Sequence, residues 1–182
     1  PVLLADGFEE TEALTVVDLR RRAKVYVDTV SITDDYRVRG ARGIPVQTED
    51  LITEIDFKET DMIVLPGGMP GTTNLKEDEN VRKAVQEAYD DGRYVAAICA
   101  APTILADMGL LKGKRATCYP DMESEIEDAW LIKEIERCGN DVIASLAICI
   151  HNGEKFAYFL EFVHNLRLRR KSTKTDGEVI CG

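Results

Sequence analysis

The stretch Tyr94-Val95-Ala96-Ala97-Ile98-Cys99-Ala100-Ala101-Pro102 constrains the fold more than any other part of the chain. A short apolar run of this kind reads as a strand buried on both faces, which belongs to a parallel sheet covered by helices. The run stops at a cysteine, and the segment Thr103–Met108 that follows the proline has helix-forming character. Proline fits the first turn of a helix. Cys99 is therefore expected on the turn between a central strand and a helix. Small neighbours let the backbone turn sharply there, as in the strand–nucleophile–helix elbow of hydrolases. A helix N-terminus close by favours thiolate. The plain alternative is a packing residue, because free cysteine is among the most buried residue types.

Other segments support the same architecture. Val2-Leu3-Leu4-Ala5 is a short apolar strand that turns at Asp6-Gly7, and Glu9–Arg22 reads as a helix with Ala13, Val16, Val17 and Arg20 at helical spacing. Acids at its start and arginines at its end complement the helix dipole. Val25–Ile32 alternates as a half-buried strand, Asp34–Gly43 is turn-like, and Ile44–Thr48 suits an edge strand that tolerates Pro45. Asp61–Leu65 is a second buried strand and runs into Pro66-Gly67-Gly68-Met69-Pro70-Gly71. A helix with Val81, Ala84, Val85 and Ala88 on one face then closes at Asp91-Gly92. Strands alternating with helices predict an α/β fold with a mostly parallel central sheet. Sites in such sheets lie beyond the carboxyl ends of the strands. Three loops meet that rule, and they carry Glu9, Glu10 and Glu12, then Gly67-Gly68, then Cys99. Further on, Arg115–Tyr119 and Val142–Ser145 are expected strands, Pro120–Ile126 a helix start, and Phe156–Leu166 an amphipathic final helix.

A chain of 182 residues supports one substantial core. Residues 1–166 are expected to form a single domain, with 167–182 as a basic C-terminal tail. The net charge of −10 argues against nucleic-acid or anionic-membrane partners. No run approaches the roughly 18 apolar residues that would span a bilayer, and no secretory signal is visible. Cys99, Cys118, Cys138, Cys149 and Cys181 show no CxxC spacing, so neither a disulfide framework nor a zinc site is indicated. Reduced thiols in a cytoplasmic protein are the simplest expectation.

The loops suggest specific chemistry. Paired glycines let backbone N–H groups approach a ligand and form an oxyanion hole, although a tight turn explains a Gly-Gly pair equally. No Lys-Ser/Thr follows, so this is not a phosphate-binding Walker loop. Glu9 and Glu10 read as dipole partners facing water. Glu12 neighbours the buried stripe and can turn toward the strand ends. An ionised carboxylate beside Cys99 would raise the thiol's pKa, whereas a protonated Glu12 could donate to the thiolate and lower it. A Cys–His pair needs a histidine, and only His151 and His164 exist. His164 falls in the final helix as a packing or surface residue, and His151 reads as a loop residue or an auxiliary group.

Three motifs in order and spacing carry a resemblance. They are Ala5-Asp6-Gly7-Phe8-Glu9-Glu10-Thr11-Glu12, Val64-Leu65-Pro66-Gly67-Gly68-Met69-Pro70-Gly71 with Asn74-Leu75, and Ala96-Ala97-Ile98-Cys99-Ala100-Ala101-Pro102-Thr103. The chain resembles the ThiJ/PfpI superfamily, specifically its Parkinson-disease deglycase (DJ-one) and bacterial YajL branch. That resemblance implies a flavodoxin-like three-layer sandwich and a homodimer. It also implies Cys99 as nucleophile and redox-sensitive residue, Glu12 as its protonated partner, and Gly67, Gly68 and Ala100 around an anion pocket. A cofactor-free glyoxalase or deglycase is implied, acting on methylglyoxal or early glycation adducts through a hemithioacetal on Cys99. The alternative is a non-enzymatic redox sensor or chaperone that responds through oxidation of Cys99. A PfpI-type peptidase is disfavoured because Ala100 stands where that branch has histidine. Tyr119 of Thr117-Cys118-Tyr119-Pro120 occupies the place of another family histidine, which leaves Tyr119 and Cys118 as auxiliary candidates. Leu146–Lys155 replaces the family's Arg-Gly-Pro-Gly-Thr turn.

Overall fold

The computed structural model describes residues 1–131 and 147–150. Ten strands and four α-helices lie in them: β1 (Val2–Leu4), α1 (Glu10–Arg22), β2 (Thr29–Ser31), β3 (Arg37–Arg39), β4 (Pro45–Gln47), β5 (Asp50–Leu51), β6 (Met62–Leu65), α2 (Gly71–Glu77), α3 (Glu79–Asp90), β7 (Tyr94–Ile98), α4 (Pro102–Asp107), β8 (Arg115–Ala116), β9 (Trp130–Leu131) and β10 (Ala147–Ile150). The main sheet has the order β10-β7-β6-β1-β2-β5. Its pairings are parallel except at β10, which runs antiparallel to β7.

Both faces of the sheet are buried, as continuous apolar strands require. Leu3, Ala5, Ile63, Leu65, Val95 and Ala97 belong to one core cluster, with Leu75, Val81, Val85, Ile104 and Leu105 from α2, α3 and α4. Val2, Leu4, Met62, Val64, Ala96 and Ile98 belong to the other, with Ala13, Val16 and Val17 from α1. Each fully buried aliphatic side chain contributes about 1.5–3 kcal/mol. The result is the mostly parallel α/β sheet expected from the residues, in the flavodoxin-like sandwich that the resemblance implies.

Several local expectations change. Only Thr29–Ser31 of Val25–Ile32 pairs as a strand. Lys24 exits α1 at φ +60, the Val25 N–H bonds to the Arg20 carbonyl, and Arg21 holds the Val27 carbonyl, so the preceding residues serve as the helix exit. The turn-like Asp34–Gly43 contains β3, which pairs antiparallel with β4, and Val38 is buried between two exposed arginines. The hairpin is clamped to the loop after β1: Asp6 accepts from the Arg39 N–H, and the Gly7 N–H donates to the Arg39 carbonyl. Helix α2 precedes the helix expected from the Val81 stripe, and Asp78 caps the second of the two. The expected Arg115–Tyr119 strand shortens to Arg115–Ala116, and the expected helix start at Pro120–Ile126 is a 3₁₀ turn over Glu123–Ile126.

The segment expected to replace a turn, Leu146–Lys155, contains β10, whose register runs from Ala147↔Ile98 to Ile150↔Val95. This strand satisfies the outer edge of β7, which a buried central strand needs. Val142–Ser145, His151, Phe156–Leu166 and the tail 167–182 lie outside the described residues. Among the described residues no helix is long and apolar enough to cross a membrane.

Candidate functional site

In the sheet order β1 sits between β2 and β6, so the chain reverses its winding direction at β1–β6. Open α/β sheets bind ligands beyond the strand ends at such a switch point. The loops after β1, β6 and β7 meet there.

Cys99 follows β7 directly and has φ +61. A non-glycine residue in this left-handed region costs about 1–2 kcal/mol, and such strain clusters at functional sites. The turn is held from both sides. Ala101 N–H donates to the Ile98 carbonyl at 2.9 Å, and the Thr103 hydroxyl donates to the Ala100 carbonyl at 2.8 Å. The amides of Ala100 and Gly68 both donate toward the Cys99 sulfur. Helix α4 is only six residues long. Its dipole therefore adds less to thiolate stability than the sequence suggested, and the two direct amides matter more.

Glu12 reaches this thiol because of how α1 begins. Glu9 is the N-cap, and its carboxylate accepts from the Glu12 N–H at 2.8 Å. Glu12 occupies the position whose carboxylate would return to the N-cap amide in a capping box. Here the Glu9 N–H donates instead to the Gly67 carbonyl at 2.8 Å, and Glu12 Oε2 accepts from the Gly67 N–H at 2.8 Å. The diverted carboxyl contacts the Cys99 thiol.

Gly67 fits no larger residue at this point. An added Cβ would lie 2.7 Å from both Cys99 Cβ and Glu12 Oε2. Gly68 has φ +93, and a side chain there would collide with the Gly7–Glu9 backbone.

Electrostatically the pair competes for a proton. Burial raises the Glu12 carboxyl, opposed by the Cys99 and Gly67 hydrogen bonds. With Glu12 ionised, the Cys99 thiol is pushed up to about 12, first by burial and then by the Glu12 charge and contact, against the Ala100 and Gly68 amides. A proton moved onto Glu12 reverses the sign of that contact, because the carboxyl then donates to the thiolate.

The structure brings Cys99, Glu12, Gly67, Gly68 and Ala100 together. Tyr119 joins them through its backbone N–H, which donates to the Cys99 carbonyl at 2.7 Å, and the residue is 50% exposed. Cys118 is buried in the core cluster of Leu110, Leu111, Ala116 and Ile126. Burial, followed by the charges of Glu123 and Glu125, pushes its thiol up to about 11. His151 lies outside the described residues.

Sequence reasoning missed two acids. Glu9 caps α1 rather than merely facing water, and its three-residue spacing from Glu12 was the available signal. Glu10 is buried and accepts from the Arg42 N–H at 2.8 Å, which fastens the β3–β4 hairpin. A separate cavity of about 750 Å³ opens at the opposite, amino end of the strands, lined by Arg20, Asp28, Asp61 and Arg93 among others. Among the described residues its lining includes no cysteine.

Comparison with known proteins adds an independent line. Residues 1–156 match the DJ-1/PfpI family. "Protein DJ-1 homolog B" of Arabidopsis thaliana is 39% identical over 118 residues, 64% of this chain, which spans only 27% of that relative. "Deglycase TK1284" of Thermococcus kodakarensis is 32% identical over 173 residues, 91% of this chain and 98% of the relative. The crystal structure of a mutant of the DJ-1 superfamily protein STM1931 from Salmonella typhimurium is similar at TM-score 0.73 and 28% identity, covering 94% of this chain and 89% of that one. A match over most of the chain, with a relative aligned along nearly its whole length, makes this chain a member of the DJ-1/PfpI family.

Proposed function

We propose that this chain is a cysteine-dependent, cofactor-free glyoxalase or deglycase that acts on methylglyoxal or early glycation adducts. The observation that carries the reading is the strained Cys99 turn, with two amides directed at the sulfur and the Glu12 carboxyl against it. The name of the Thermococcus relative, a deglycase, supports it.

The proton of the pair resides on Glu12. Two amides stabilise charge on sulfur, whereas the half-buried carboxylate has the Gly67 amide alone from the backbone. The thiolate adds to the aldehyde carbon, and the C=O electron pair moves onto oxygen. The Gly68 and Ala100 amides hold that oxyanion while Glu12 delivers its proton, giving the hemithioacetal. Glu12, now ionised, removes the proton from the former aldehyde carbon and returns one to the neighbouring carbonyl carbon through the enediol. The product is a hydroxyacyl thioester on Cys99. Water hydrolyses it to the hydroxy acid and restores the thiol, so methylglyoxal plus water gives lactate with no external oxidant. On a hemiaminal glycation adduct the thiolate forms its C–S bond as the C–N bond breaks, Glu12 protonates the leaving amine, and the hemithioacetal then follows the same route to the hydroxy acid. The assembly is a homodimer and the site of action cytoplasmic on this reading. Tyr119, exposed beside the Cys99 carbonyl, replaces the family histidine as a hydrogen-bond donor at the mouth of the site.

A second reading rests on the same two amides. Oxygens added to Cys99 by peroxide would find donors in them, which suits a redox sensor or chaperone responding through a sulfinic acid. The test is lactate formation from methylglyoxal by wild type and Cys99→Ser. Turnover lost in the variant supports the enzyme. A wild type without turnover, in which Cys99 alone is oxidised at low peroxide, removes it in favour of the sensor.

A further inference from the structure

Three hydrogen bonds close a ring around the proton carrier. The Glu9 N–H donates to the Gly67 carbonyl, the Gly67 N–H donates to Glu12 Oε2, and the Glu12 N–H donates to Glu9 Oε2. Each is 2.8 Å long. The ring fixes the Glu12 carboxyl at both its backbone and its side chain, and it brings a second carboxylate within one helical turn. A simple N-cap would need only the last of these bonds.

We propose that Glu9 is a positioning residue whose negative charge keeps the proton of the Glu12–Cys99 pair on Glu12, so that the sulfur carries the charge. The inference rests on the reading of Cys99 as nucleophile and Glu12 as its protonated partner. Its physical basis is the ring, in which the Glu9 carboxylate lies against the backbone of Glu12, within one helical turn of the proton carrier. The pair holds one negative charge in either arrangement, on Glu12 with a neutral thiol or on sulfur with a neutral carboxyl. Glu9 bonds directly to the Glu12 backbone, whereas the sulfur meets the ring only through the Glu12 carboxyl and the Gly68 amide. Its repulsion therefore penalises the first arrangement more than the second. The Coulombic contribution of Glu9 to Glu12 has this direction, upward, while the charge that acts on Cys99 is that of Glu12.

Among the described residues no other charged group competes at this point. From the β7–α4 turn the pair is faced by Cys99 itself. The loop Pro66-Gly67-Gly68-Met69-Pro70 supplies amides and no ionisable side chain. Tyr119 meets the turn through its backbone. On the neighbouring positions of α1 and its preceding loop, Glu10 is engaged by the Arg42 amide and Asp6 by the Arg39 amide. Glu9 is the carboxylate whose charge acts on the Glu12 side.

The test is the pH dependence of Cys99 alkylation, read by peptide mass spectrometry on wild type, Glu9→Gln and Glu9→Asp. Glutamine keeps an oxygen to accept the Glu12 N–H, so the cap and the fold persist while the charge is lost. With that charge removed Glu12 ionises more readily, its negative charge sits beside the sulfur, and the thiol titrates at higher pH. The expected shift is about half a unit to one unit, a roughly three- to tenfold slower alkylation at pH 7. Glu9→Asp, which keeps the charge, should return toward wild type. A Glu9→Gln profile that superimposes on wild type overturns the proposal, as does an equal shift in Glu9→Asp, which would assign the effect to geometry. A wild type whose Cys99 stays unreactive below pH 9 removes the nucleophile reading itself, and this proposal with it. A reactive wild type with an unshifted Glu9→Gln removes only the role of Glu9.

Discussion

Two cysteines lie on adjoining backbone segments, yet the structure gives them opposite surroundings. The Tyr119 N–H donates to the Cys99 carbonyl, so Cys118 is one residue away from a hydrogen bond to Cys99. With Glu12 ionised the Cys99 thiol is pushed up to about 12, and the Cys118 thiol is pushed up to about 11; burial is the largest cause for each. At Cys118 the charges of Glu123 and Glu125 follow burial and oppose ionisation further. Cys99 has two amide donors, a strained backbone and a carboxyl that can take the proton. Burial alone makes an inert thiol. A reactive one needs donors for the charge and a place for the proton.

The strongest way to break this contrast is to exchange sulfur for oxygen at each position. Cys99→Ser should lower lactate formation by about 10,000-fold or more, because serine lacks an adjacent base of adequate strength. Cys118→Ser should leave turnover within a few-fold, measured under the same conditions. Glu12→Gln comes next, with an expected loss of about 100- to 1000-fold, the range for removing a positioned proton carrier. Gly67→Ala follows. Its Cβ would press on Cys99 Cβ and Glu12 Oε2 at 2.7 Å, and the displacement should cost about 10- to 100-fold in rate and about 1–3 kcal/mol of stability, read from urea midpoints.

Smaller effects sharpen the comparison through stability. Cys118→Ser places a hydroxyl in an apolar cluster and should cost about 1–3 kcal/mol, visible as a lower thermal midpoint with activity retained. Glu12→Gln should do the reverse at neutral pH. Because burial raises the Glu12 carboxyl, the pair loses its first proton above the ordinary carboxyl value, and the charge that results rests on sulfur; the stability contributed by the fully protonated pair is complete below about pH 4.5, the ordinary value, and is lost as pH rises through that first ionisation. The advantage of the variant over wild type should therefore grow between pH 4 and pH 8, and solvent screening keeps it below about 1 kcal/mol. Urea unfolding at the two pH values measures it.

Much of this arrangement was legible in the residues, and the reasons are physical. Strands β6 and β7 are apolar runs buried on both faces, so composition alone marks them. The Cys99 turn was legible because proline and alanines admit a sharp exit from a strand. The glycine pair was legible as a loop, but not why Gly67 must be glycine, since the atoms crowding it come from α1 and the β7 turn. Strand β3 was missed because Val38 is its lone buried residue, and its arginines read as turn. Helix α2 was missed because its buried face is Gly71, Thr72 and Leu75, too small for an apolar stripe. The Glu9–Gly67–Glu12 ring depends on long-range pairing that no local pattern carries. The residues offered a protonated Glu12 as one possible partner of Cys99, the family resemblance implied that role, and the structure supplies the contact.

The most direct measurement is alkylation of Cys99 and Cys118 across pH 5 to 11, resolved by peptide mass spectrometry. With its proton held on Glu12 and its charge on the two amides, Cys99 should label with a midpoint below the ordinary thiol value of about 8.5, while Cys118 stays unlabelled until well above it. Cys99 silent to beyond pH 10, in step with Cys118, would place the proton on sulfur and contradict the account.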